Sequence, residues 1–349
     1  MEYRNVGRTG VRVSTLCLGT GNWGWRTPER EAHRIMQAAL ETGITYFYTA
    51  NSYSDGESER IIGRFFQETG QRDRVFLQTK VHYPVGDNIS NRGLSRYHII
   101  RGCEDSLRRR QTDRIDLYIM HRSASPAIPL DETLGALNDL VRQGKVLYIG
   151  CSTDPAWQVM EAPMVSEAKR CARYMVESPP YNLLDRRIEN ELVPMCRKHG
   201  MGIVPWSPLA MGMLVGRYSL DASLPADSRA AQDPQGIYAQ RINRLGLHVA
   251  SRLPTLAADR GLTPGQLALL WVKDQPGITA PIIGPRTIKH LNEMLPVADQ
   301  HADDRLRAAF DQLNPPGWAV SDFHNTSGWS LGGSFHPLSD EMEFGLPAV

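Results

Sequence analysis

The chain has 349 residues, room for two ordinary domains or one large α/β barrel, and either buries a sizeable core. Its 39 Lys and Arg nearly cancel 38 Asp and Glu, and the basic residues are scattered, which argues against a nucleic-acid or anionic-membrane surface. Hydrophobic content of 41% and charged content of 22% exclude a disordered or fibrous chain. The first residues lack a signal-peptide pattern, and no apolar run approaches the ~18 residues of a membrane span, so a cytoplasmic protein is expected. Cys17, Cys103, Cys151, Cys171 and Cys196 are far apart without C-x-x-C spacing, which predicts reduced, mostly buried thiols and no metal site.

In chain order, two short β runs, Tyr3 to Val6 and Val11 to Val13, flank a Gly-containing turn and read as an N-terminal hairpin. Strand-like runs follow at Thr15 to Leu18, Thr45 to Tyr48, Val75 to Thr79, Ile115 to Met120, Val146 to Cys151, Tyr174 to Glu177, Ile203 to Trp206 and Ala280 to Ile283. Between them lie amphipathic stretches at Glu29 to Glu41, Ser58 to Glu68, Arg96 to Arg109, Leu130 to Arg142, Pro155 to Glu167 and Arg187 to His199, and a long helical region near 238 to 274. Short apolar strands alternating with helices of ten to fifteen residues predict parallel strands buried on both faces. Eight such repeats without a linker predict an α/β fold, one (β/α)8 TIM barrel over residues 1–349 with extra C-terminal loops and helices. Residues 217–240, with Pro225, Asp227, Pro234 and Gly236, read as a loop over the barrel mouth, and 311–349 as an irregular tail.

Active sites of such barrels lie at the C-terminal strand ends. The second strand runs into Tyr48 and Tyr53, the third into Lys80, and the fourth into His121. This trio suits proton transfer at an oxygen: a phenol supplies the proton, a lysine charge acidifies it, and an imidazole orients the carbonyl. Each residue alone has an ordinary structural role available to it, and their joint placement on consecutive strand ends carries the reading.

The chain resembles an aldo-keto reductase over nearly its whole length. The resemblance rests on GITYFYTANSYSDGESERIIG (43–63), LQTKV (77–81), DLYIMHR (116–122), GKVLYIGCS (144–152), YNLLDRRIENELVPMCRKHGMGIVPWSPLAMGMLVGRY (181–218) and TPGQLALLWVKDQPGITAPIIGPRTIKHLNEML (263–295). It implies a nicotinamide cofactor across the mouth, hydride delivery to an aldehyde or ketone, Tyr53 as proton donor, Lys80 as the residue that tunes it, and His121 as carbonyl orienter. It also implies that Trp206 stacks on the nicotinamide while Ser152, Thr153 and Glu177 face the carboxamide. Ser207, Pro208, Leu209, Gly212, Leu214, Gly216 and Arg217 would wrap the pyrophosphate. Gly284 and Arg286 open the last helix and suit an adenosine 2′-phosphate, favouring NADP(H), with His290 and Glu293 in the adenine segment.

The family's second strand normally ends F-D-T-A, with its aspartate paired to the lysine; here it ends Phe47-Tyr48-Thr49-Ala50. Without that carboxylate, desolvation is expected to push the Lys80 pKa down, and Tyr48, Asp55 or Glu57 are the candidate replacements. Thr153 and Glu177 stand where asparagine and glutamine are usual, and His290 and Met294 depart in the adenine segment. The clustering of departures favours a retuned site over a single exchange at Tyr48.

The expected function is NADPH-dependent interconversion of a carbonyl and an alcohol with Tyr53 as general acid. Two alternatives stay open. One is an epimerase or lyase on the same barrel without net redox, with Glu177 as an extra base. The other is a catalytically weak, cofactor-sensing partner protein, since the chain also resembles the potassium-channel β-subunit branch through Val204-Pro-Trp206-Ser207-Pro208. The expected ligand is a small carbonyl or alcohol, with a homo-oligomer left open. Trp23, Trp25 and Tyr83 are the substrate-pocket candidates, with Trp318, Phe323, His324, Trp329 and Phe335 in the variable segments.

Overall fold

The computed structural model describes residues 1–122, 128–219 and 222–325. The hairpin forms from β1 (Tyr3–Asn5) and β2 (Arg12–Ser14), paired antiparallel. Eight parallel strands follow: β3 (Cys17–Gly19), β4 (Tyr46–Tyr48), β5 (Phe76–Val81), β6 (Ile115–Met120), β7 (Val146–Cys151), β8 (Tyr174–Glu177), β9 (Gly202–Ile203) and β10 (Ile282–Ile283). Their order in the sheet is β10-β3-β4-β5-β6-β7-β8-β9, and the Ile203–Ile278 bridge brings the last edge back to the first. This is the predicted (β/α)8 arrangement with its hairpin.

The surrounding helices are α1 (Glu29–Glu41), α2 (Glu57–Thr69), α3 (Arg96–Arg110), α4 (Leu130–Arg142), α5 (Ala156–Lys169), α6 (Leu192–His199), α7 (Arg229–Gln232), α8 (Ile237–Gln240), α9 (Arg244–Ser251), α10 (Leu253–Ala258), α11 (Pro264–Lys273), α12 (Ile288–Met294) and α13 (Asp304–Leu313). In α1 the buried residues are Ala32, Ile35, Met36, Ala39 and Leu40, one face at the helical repeat, which lies against the sheet. No helix among the described residues is long and apolar enough to cross a membrane.

The strands sort their side chains with period two. Outward residues such as Phe47, Leu77, Tyr118 and Ile149 join the layer between sheet and helices. Inward residues form a second cluster: Val6 and Val13 of the hairpin close the bottom, Cys17, Tyr46, Leu117, Ile119, Val176 and Val204 fill the middle, and Tyr48, Tyr53 and Trp206 end it at the mouth. The hairpin is fixed there by Arg4, whose guanidinium donates to the Ile278 carbonyl at 3.0 Å and pairs with Asp274 at 3.2 Å. Gly7, at φ +52°, has the Gly200 carbonyl and the Gly202 nitrogen 2.7 Å from where a Cβ would stand, so no side chain fits that turn.

Several boundaries differ from expectation. The stretch read as one helix from Arg187 to His199 is a single 3-10 turn, Arg187–Glu189, followed by α6, because Arg186 and Arg187 are drawn into bonds with Glu189 and Asp185. The 238–274 region is four helices, interrupted where Asn243 and Thr263 cap new N-termini. The loop at 217–240 carries α7 and α8. The tail begins inside α13, and its Trp329 and Phe335 lie outside the described residues.

Candidate active site

The inward repeat delivers the site. Two residues beyond Tyr46, Gln78, Ile119 and Val204 come Tyr48, Lys80, His121 and Trp206, all projecting at the mouth end of the interior column. Lys80, only 1% exposed, donates to the Tyr48 hydroxyl and, at 2.8 Å, to the Tyr53 hydroxyl. Its Nζ also lies 4.1 Å from the Tyr48 ring centroid and 5.0 Å from that of Tyr53. The Tyr53 and His121 rings meet edge to face at 5.9 Å, and Tyr83 packs on the other side of His121 at 4.8 Å.

No carboxylate among the described residues pairs with Lys80. Asp55 accepts from the Gly86 backbone at 3.2 Å and Glu57 pairs with Arg60 and Arg64, whereas the partners of Lys80 among the described residues are the Tyr48 and Tyr53 hydroxyls. Burial, aided by the Arg122 charge, pulls the Lys80 pKa well below the ordinary lysine range. Burial likewise raises Tyr53 well above the usual phenol range, with Tyr48 adding to it, and pushes Tyr48 up. His121 is held neutral by burial and by the Lys80 and Arg122 charges, and its Nδ1 has no partner.

Thr153 sits at φ +66°, costly for a β-branched residue. Its hydroxyl accepts from the Trp206 indole N–H at 3.2 Å and from Arg122 at 3.4 Å, so the strained turn fixes the indole. Glu177 is fully buried and accepts from the Asp154 N–H at 3.1 Å, while its Oε2 has no partner. Burial, then the Asp154 charge, raises its pKa well above the carboxylate range. Burial disfavours the ionised carboxylate, which counts against Glu177 as an extra base at the mouth. Ser152 is spent on the Ser178 carbonyl at 2.8 Å.

The segment after Trp206 turns sharply: Ser207, Ala210, Met211, Gly212 and Gly216 all have positive φ. Such a run turns backbone N–H groups toward one side, a shape that receives phosphate oxygens. Pro208 is buried and Leu209 packs against the core, whereas the Leu214 side chain is fully buried, so Leu214 offers only backbone to this loop. Arg217 and Arg286 converge on Asp227, at 2.5 and 3.4 Å. Gly284 is exposed, His290 is N-terminal in α12, and Glu293 is exposed beside Lys289 at 3.9 Å.

Of the substrate-pocket candidates, Trp23 is corrected: it is fully buried and belongs to the hydrophobic core. Trp25 is 55% exposed, with Arg26 over its ring at 4.2 Å and Arg229 at 5.3 Å. Trp318 is exposed, whereas Phe323 and His324 are buried, His324 bonding Asp185 at 3.0 Å, so these two anchor the tail. Arg122, Tyr238 and Arg241 were not singled out from sequence. Arg241, just past α8, lies 5.3 Å from the Trp206 ring and 5.9 Å from that of Tyr238.

Residues 15–315 match the aldo/keto reductase family. The chain belongs to that family. An uncharacterized oxidoreductase of Bacillus subtilis is 40% identical over 90% of this chain and 96% of its own length. A probable voltage-gated potassium channel subunit beta of Arabidopsis thaliana is 33% identical over 86% of this chain and 92% of its own. An aldo-keto reductase of Fusarium vanettenii is 31% identical over 90% and 92%. As a member of this family the chain is an oxidoreductase.

The family uses a nicotinamide cofactor, and the residues fit one. A partly exposed indole stands at the strand end, a positive-φ loop with Gly212 and Gly216 follows it, and two arginines lie beyond.

Proposed function

We propose that this chain is an NADPH-dependent reductase of aldehydes or ketones, working reversibly on the matching alcohols. The observation that carries the reading is the meeting of Tyr53, Lys80 and His121 at one mouth, with the phenol 2.8 Å from the amine and edge-on to the imidazole.

NADPH, when bound, supplies the hydride. A carbonyl oxygen held between the Tyr53 hydroxyl and neutral His121 receives a hydrogen bond from each. As the carbon is reduced, the oxygen becomes alkoxide-like, a stronger base than phenolate, and takes the Tyr53 proton despite the raised phenol pKa. Lys80 then stabilises the phenolate, through its ammonium form or by passing on a proton shared with Tyr48. Arg217, Arg286 and the turned backbone from Ser207 to Gly216 would hold the phosphates, and Trp206, fixed by Thr153, would define one wall of the reaction plane. The extra arginine at the adenosine end favours the phosphorylated cofactor.

The test is cofactor oxidation against a panel of aldehydes, ketones and keto-sugars with NADPH and NADH in parallel. The reading expects turnover with a lower KM for NADPH. It fails if NADPH binds and no carbonyl or alcohol in the panel turns over.

A further inference from the structure

We propose that Arg122 is an anion-recognition residue and that the carbonyl substrate carries a carboxylate next to its reacting end. This rests on the reductase reading for the word substrate, but the recognition itself is a property of the mouth.

Arg122 directly follows His121 at the end of β6 and is half-buried. Its Nη1 donates to the His121 carbonyl at 2.6 Å and to Thr153 Oγ1 at 3.4 Å, and its guanidinium carbon lies 5.5 Å from the Tyr83 ring centroid. These contacts place it between the ring that backs the catalytic imidazole and the threonine that fixes Trp206. All its partners are neutral. Its Nε is buried with no acceptor, and no carboxylate among the described residues lies within ion-pair distance of it. A partly desolvated guanidinium with an orphaned donor is costly unless an anion arrives to pair with it.

The surroundings add to the deficit. The Arg122 charge is felt at Tyr48, Tyr53, Lys80, His121 and Glu177, and it disfavours a second charge at Arg241, whose guanidinium faces the Trp206 ring. Arg241 thus lies over the indole, and Arg122 bonds the threonine that holds it. Arg217 and Arg286, the arginines proposed for the cofactor phosphates, form a separate pair that shares Asp227. A planar carboxylate matches the guanidinium fork, and Tyr83, Tyr238 and Trp206 supply flat apolar walls for the rest of the molecule.

The probe is benzoate, with benzamide as its uncharged control, titrated calorimetrically into the full chain saturated with NADP+. Wild-type protein is expected to bind benzoate at least about tenfold tighter than benzamide, the worth of one charge-assisted bond. That ratio should fall toward one in Arg122→Met and recover in part in Arg122→Lys. In turnover, 4-carboxybenzaldehyde should be preferred over its methyl ester, and Arg122→Met should erase the preference through KM.

Wild-type protein that binds benzoate no better than benzamide overturns the proposal, and this arm needs no variant to fold. So does Arg122→Met protein, folded by its thermal melt, that keeps the full preference. If no carbonyl at all turns over, the reductase reading fails, and the benzoate ratio still decides the role of Arg122.

Discussion

Lys80 lies between two phenols, in contact with the Tyr48 hydroxyl and 2.8 Å from that of Tyr53, with no carboxylate among the described residues to hold its charge. A buried lysine balanced by phenols is a weaker cation than one balanced by an aspartate. Its proton is therefore lost at lower pH.

Tyr48 consequently sets the alkaline limit of catalysis. Activity that needs the ammonium is present below the lowered Lys80 pKa and lost as pH rises through it. Tyr48→Asp supplies a counter-ion, so the alkaline fall of kcat should move to higher pH and kcat at neutral pH should rise by roughly 10- to 100-fold. Tyr48→Phe should move the fall the other way. Initial rates from pH 6 to 10 check both.

Glu177 makes the fold less stable as pH rises. Its carboxyl keeps its proton when folded and ionises at ordinary values when unfolded, so its contribution is full in acid and declines above the unfolded value. Glu177→Gln keeps an acceptor for the Asp154 N–H and removes the titration. Thermal melts should show a gain of roughly 2–4 °C at pH 8 and little at pH 4.

His98 works in the opposite sense. Both its ring nitrogens are buried without partners, and burial lowers its pKa to about 4. The unfolded chain takes up the proton near pH 6.5, so stability is complete above that and falls as pH drops toward 4. The loss attributable to His98 is about 2–3 kcal/mol, and His98→Leu should flatten the acid limb of urea midpoints measured from pH 7.5 to 4.5.

Much of this site was legible because a strand repeats every two residues. Once Ile115 to Met120 is a strand with Leu117 and Ile119 inward, His121 must open at the mouth, and the same step leads from Gln78 to Lys80 and from Val204 to Trp206. The two-phenol bridge was legible only as one of three options, since Tyr48, Asp55 and Glu57 are equally near in sequence and only the turn at Ser54 and Asp55, both at positive φ, carries the acids away. Trp23 misled because a residue just past a strand end reads as exposed, whereas the following turn, with the Gly24 N–H on the Thr27 carbonyl, folds the ring inward. Tyr238 and Arg241 gave no signal because the approach of Arg241 to the Tyr238 and Trp206 rings is a tertiary event with no local pattern.

On the proposed function, Asp227 would compete with the cofactor: it pairs with both Arg217 and Arg286, and a 2′-phosphate held by Arg286 would displace it there. Asp227→Asn should tighten NADPH binding about threefold, with less effect on NADH and less at high salt. Cofactor fluorescence titrations at two ionic strengths report this.

The most direct test is NADPH oxidation by wild-type protein and Tyr53→Phe against one carbonyl panel, with NADPH affinity measured for both. The wild type is expected to turn over, and the variant to lose about 10²–10⁴ in kcat at unchanged cofactor affinity. Equal rates for the two proteins would remove Tyr53 as the acid and contradict the account.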